Sequence, residues 1–204
     1  MKPMTDQNAM RDDIAFMRTL AEAGRTGPMA GGSILVVAGG IYAACSVASW
    51  SGITYRLNWD GFFPLVWFGG TLLFLVILFL MKRRLPRNSG AARSAGVVWQ
   101  GVGWATFAIV ISLMMISARA NAWVVMAALP SVILALYGAA WFVGAVLTAV
   151  RWLYLVAFGA FIMAAVNAWF VTAPATLYLV YAASLIGLLS LPGLIIMRQA
   201  RKAA

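Results

Sequence analysis

The chain has 204 residues, of which 64% are hydrophobic and only 10% charged; soluble domains carry about 25% charged residues. Its formal charge of +10 raises nucleic acid as a partner, but the basic residues sit in short clusters between apolar stretches, and no folded basic module holds them. There is no histidine and a single cysteine, Cys45, which excludes histidine-ligated haem and an internal disulfide.

In chain order, residues 9–23 predict a cytoplasmic amphipathic helix. Met10, Ile14, Met17 and Ala21 form an apolar stripe widened by Phe16 and Leu20, while Arg11, Arg18, Glu22 and Arg25 line another face. Asn8 caps its start, and Gly24 with Gly27-Pro28 ends it. Its charges nearly cancel, unlike those of a helix that binds anionic lipid electrostatically. The stripe, with Ile14, Met17 and Ala21 at its centre, is expected to dock on this protein's own cytoplasmic face or on a partner chain. The plainer alternative is a helix lying at the membrane surface.

Six apolar stretches follow, at 33–50, 62–81, 95–117, 130–150, 152–170 and 176–197. The hydrocarbon core is about 30 Å thick and a helix rises 1.5 Å per residue, so a span needs roughly 20 apolar residues. The pattern predicts an all-α polytopic membrane protein: six transmembrane helices over 29–198, preceded by the amphipathic segment 1–28 and closed by a tail, 199–204. The first stretch outlasts the apolar core of a signal peptide and begins after acidic residues, so it reads as a span. With six spans, 13 of the 15 basic residues fall on one side, leaving Arg56 and Arg119 opposite. That bias predicts cytoplasmic termini.

The connectors carry their own signals. Arg56 and Asp60 stand four apart, the spacing of a helical ion pair. The connector 82–93 holds five basic residues with Pro86, Ser89 and Gly90. It predicts a loop against anionic headgroups through Lys82, Arg83, Arg84 and Arg87, at about 1 kcal/mol per nearby basic residue, beside its role in fixing topology. The run 122–150 is too long for one perpendicular helix. Either Asn121 caps a short interfacial turn with the span starting at Pro130, or one long helix tilts and kinks there. Only Arg151 separates spans four and five, which predicts a tight hairpin. In the last span Pro192 has no N–H for the carbonyl of Leu188, so a kink is expected beside Gly193. Trp50, Trp59, Trp123 and Trp169 fall at the outer interface and Trp99 and Trp152 at the inner one. Trp67, Trp104 and Trp141 lie deeper, where each indole N–H needs a partner.

Residue inventory speaks against catalysis. Glu22 is the only glutamate, all four aspartates lie outside the spans, and no span holds a lysine for a Schiff base. A transition metal would have to rely on Cys45, amides and carbonyls. No cofactor, metal or catalytic residue is assigned. Ion-coupled transport is disfavoured as well, since a mid-bilayer ionisable group costs about 3 kcal/mol and usually marks a pathway where it occurs. The polar residues within spans include Gln100, Asn167, Ser46, Ser112, Thr106, Thr148, Tyr137, Tyr181 and Ser184. Their plain reading is interhelical hydrogen bonding, worth about 0.6 kcal/mol each. Small residues recur four apart at Gly40/Ala44/Ala48, Gly101/Ala105, Ala140/Gly144, Ala160/Ala164/Ala168 and Ala183/Gly187, and predict close helix packing, part of it available to a second copy. Gly39-Gly40-Ile41-Tyr42 and Gly138-Ala139-Ala140-Trp141, on antiparallel spans, hint at an inverted three-plus-three repeat.

Asp13-Ile14-Ala15-Phe16-Met17-Arg18, Gly31-Gly32, Ile133-Leu134-Ala135-Leu136-Tyr137-Gly138 and Leu191-Pro192-Gly193 together resemble a family of small bacterial six-span inner-membrane proteins. The resemblance implies a bacterial inner membrane and brings neither activity nor catalytic residues. The resulting expectation is a non-enzymatic accessory, regulatory or sensing subunit. Its partners are anionic lipid headgroups and a second copy or another membrane protein, not nucleic acid. The alternative is a passive facilitator of a small neutral or hydrophobic solute, with Gln100, Trp104, Tyr137 and Trp141 along its path.

Overall fold

A computed structural model describes Ile14 and residues 31–57, 61–84 and 90–203. Among them every regular element is helical: α1 (Gly32–Thr54), α2 (Phe62–Arg84), α3 (Gly90–Ala120), a short α4 (Val124–Ala127), α5 (Leu129–Thr148), α6 (Trp152–Trp169) and α7 (Pro174–Leu185). A π-helical segment (Ile186–Ser190) then joins α7 to α8 (Leu191–Ala203). Six helical stretches are long and apolar enough to cross a membrane, with α4–α5 and α7–α8 each counting as one. The last helix runs to Ala203, so most of the expected tail, 199–204, is its final turn.

Helix ends follow backbone chemistry. Arg56 takes the left-handed conformation (φ 54°) and closes α1, with Leu57 N–H bonded to Gly52 O at 2.9 Å. Asn121 (φ 47°) does the same for α3, with Ala122 N–H on Ser117 O at 3.1 Å. Asn121 therefore ends the preceding helix and does not cap the next; Trp123 is the N-cap of α4, without a side-chain cap bond. The break at Ala128 falls within the fourth span, between α4 and α5, and Pro130 sits in the first turn of α5, where its missing N–H has no cost. Between α5 and α6 the chain reverses through Ala149, again left-handed (φ 55°). A Cβ is strained there, so Ala149→Gly is expected to stabilise the protein by about 0.5–1 kcal/mol in reversible unfolding from mixed micelles. A loss of stability would show that the hairpin is held by something other than its turn.

The bundle is built on two helix pairs. α1 packs along α7, the π segment and α8, while α5 packs along α6. α2 lies against α1 and α3 against α5. Two buried clusters join the pairs. One holds Ala38, Ala43, Leu134, Tyr181, Ala182, Leu185 and Leu189; the other holds Leu35, Trp141, Ala145, Leu153, Ala157 and Ile196. α2 and α3 form the flanks and expose large side chains such as Phe68, Leu72, Phe107 and Met115. That surface suits a hydrocarbon solvent and would be untenable in water.

Contact between α1 and the last span rests on glycine. A methyl group on Gly32 would stand 2.6 Å from the carbonyl oxygen of Gly193, and one on Gly193 would stand 2.7 Å from that of Gly32. Gly39 meets Ser190 and Leu189 just as closely. The small-residue stripe expected at Gly40/Ala44/Ala48 is not this face: Gly40 and Ala44 are exposed, and a Cβ on Gly40 would meet nothing within 4 Å. Ala183 and Gly187 also face outward, whereas Ala140 and Ala160 are buried.

Candidate functional site

The middle of the bundle holds the only concentration of polar chemistry among the described spans, and it is organised by three contacts. On α2, Trp67 donates its indole N–H to Ser49 Oγ of α1 at 3.1 Å. Its ring lies 6.4 Å from Tyr42, 6.2 Å from Tyr178 and 6.4 Å from Tyr181, centroid to centroid. Phe63 and Phe74 extend this group against Tyr178 and Tyr42. Cys45 is buried nearby, its Sγ donating to Val66 O at 3.4 Å and occupying the space that a side chain on Gly70 would need.

The second contact is made by Trp141 of α5, 3% exposed, which donates its indole N–H to the carbonyl of Leu188 at 2.9 Å. In α-helical register that carbonyl would be served by the nitrogen of Pro192, which carries no hydrogen. The chain answers with a π turn, in which Leu191 N–H reaches five residues back to Ile186 O, and a tryptophan from another helix takes over the orphan. Trp99 of α3 packs edge-on against Trp141 at 5.2 Å and against Tyr137 at 5.8 Å.

The third contact pairs α6 with α7. Asn167 is fully buried, and its Nδ2 donates to Met163 O at 2.9 Å and to Ser184 Oγ at 3.5 Å. Ser184 in turn donates to Val180 O at 2.7 Å. Asn167 Oδ1 has no partner. Because this oxygen already bears the cost of being unpaired, Asn167→Leu is expected to change unfolding free energy by less than about 1 kcal/mol. A loss well beyond that would mean that the oxygen is satisfied in the bilayer.

Of the four residues expected along one path, the structure brings two together. Tyr137 and Trp141 share the interior and meet at Trp99. Gln100 and Trp104 lie one turn apart on the outward face of α3, where Trp104 is 66% exposed and packs on Phe107. A straight helix cannot turn Trp99 and Gln100, neighbours in sequence, to the same side. Composition gave no signal for Tyr42, Ser49 and Tyr178, whose roles depend on which helices adjoin. Ile14 is exposed, while Met17 and Ala21 lie outside the described residues. Arg83 is exposed with its guanidinium 4.2 Å above the Phe79 ring. Lys82 and Arg84 fall in the last turn of α2, and Arg87 lies outside the described residues.

These observations define the class: an all-α bundle with, among the described residues, six helical stretches long and apolar enough to cross a membrane and an aromatic, hydrogen-bonded interior. Compared with family models, with curated proteins and with solved structures, the chain finds no match.

Proposed function

We propose that this chain is a non-catalytic accessory, regulatory or sensing subunit of the bacterial inner membrane, with both termini cytoplasmic and no cofactor. What carries the reading is the filled middle of the bundle. Leu134, Leu177, Leu185 and Leu189 are buried to within 1%, and the indole donors of Trp67 and Trp141 are spent on partners within the bundle. Such an interior holds helices in register and leaves its chemistry for neighbours: anionic headgroups at the basic connector, and a second copy or another membrane protein at the N-terminal segment.

Reconstitution into vesicles tests this. Glycerol and urea fluxes are expected to equal those of protein-free vesicles, and a membrane-protein partner is expected to co-purify with the full chain and to be lost when residues 1–24 are deleted. A raised flux, or no partner with either form, contradicts the proposal. The unpartnered Asn167 Oδ1 favours passive movement of a neutral solute instead, and a raised flux abolished by Asn167→Leu would establish that second reading.

A further inference from the structure

We propose that the cleft between α3 and α5 is a retention site for one acyl chain of an anionic phospholipid. The cleft has a volume of about 290 Å³ and its walls are wholly apolar. Val98 and Ala105 mark its ends on α3, Val143 and Leu136 on α5, and Gly101 and Ala140 lie between. The two helices run antiparallel, so the cleft extends along about 10 Å of each, at 1.5 Å per residue. Gly101 opens it: a Cβ built there meets nothing within 4 Å, so a side chain absent from the sequence leaves space open to the surrounding hydrocarbon.

Burial from water does not separate this chain from bulk lipid, because lipid tails are as apolar as the wall. Two other things do. A shallow groove touches more of a chain's circumference than the convex exposed faces of α2 do. A basic residue also stands beyond one end of the cleft: the exposed Arg151 follows the end of α5, beyond Val143. Charge complementarity there selects an anionic headgroup, by roughly fivefold for each basic residue within reach. The proposal rests on the anionic-lipid reading of the basic residues and deepens it by giving one lipid a defined seat.

Native mass spectrometry of the full chain, extracted from bilayers of equal phosphatidylglycerol and phosphatidylcholine, tests it. Wild type is expected to retain one phospholipid, with phosphatidylglycerol favoured at least fivefold. Gly101→Leu, whose Cβ meets nothing within 4 Å, is expected to occupy the cleft and cut retention at least tenfold. Gly69→Leu, on the exposed face of α2 with equally open space, is expected to leave retention unchanged. Arg151→Gln is expected to lower the preference while a lipid is still retained. Equal retention by Gly101→Leu and wild type overturns the proposal. So does equal loss in Gly69→Leu, or a dimer dissociated by Gly101→Leu with no lipid lost. If Gly101→Leu is silent while changing Lys82, Arg83, Arg84 and Arg87 to Gln abolishes the preference, the seat falls and the headgroup reading of the connector stands.

Discussion

Gly193→Ala is expected to destabilise the bundle by about 1–3 kcal/mol, the range for forcing an extra methyl into a closed contact. The added carbon would stand 2.7 Å from Gly32 O, 2.9 Å from Val36 Cγ2 and 3.1 Å from Val36 N. Two of those neighbours are backbone atoms, so no side chain can rotate away to make room. Gly32→Ala probes the same crossing from the other helix, at 2.6 Å from Gly193 O. Gly40→Ala, on α1 but facing outward into open space, is expected to act with the opposite sign and stabilise by about 0.5–1 kcal/mol through helix propensity. The check is unfolding in mixed micelles, titrated with a denaturing detergent and followed by tryptophan fluorescence. If Gly40→Ala is as harmful as Gly193→Ala, the crossing of α1 and α8 is misplaced.

The second large effect concerns the carbonyl of Leu188. Trp141→Phe keeps most of the ring and removes the indole N–H that this acceptor receives, at a cost of about 1–3 kcal/mol for an unpaired buried group. Pro192→Ala supplies the missing backbone N–H. In that background the π turn is expected to relax towards α register, and the penalty of Trp141→Phe to fall below about 1 kcal/mol. The double-mutant cycle is the measurement. An equal penalty in both backgrounds means that Trp141 contributes by packing alone.

The sequence reading and the structure agree where composition decides and part where neighbours decide. Six helical segments were legible because each meets the length and polarity demands of a bilayer by itself. Pro192 marked the place of a backbone defect for the same reason, since the loss of a donor is local. That the defect is a π turn, relieved by a tryptophan 47 residues earlier, depends on which helices touch. The packing face of α1 shows the same limit. In a helix rich in small residues, Gly32/Gly39 and Gly40/Ala44 are equally good periodic stripes, and only the partner helix chooses between them. Depth along the span puts Gln100 and Trp104 near a solute path, whereas facing is set by the angle around the helix, and both face outward. Tyr42, Tyr178 and Ser49 gave no separate signal, because each becomes notable only once Trp67 is beside it.

Cysteine-accessibility scanning of the reconstituted protein, in a Cys45→Ala background, addresses the closed interior most directly. Single cysteines at 42, 137, 141, 167, 181 and 184 are expected to resist a membrane-impermeant maleimide, while cysteines at Arg56 and Arg119 react fully. A continuous reactive stripe through those six interior positions would show water inside the bundle and contradict the proposal that it is sealed.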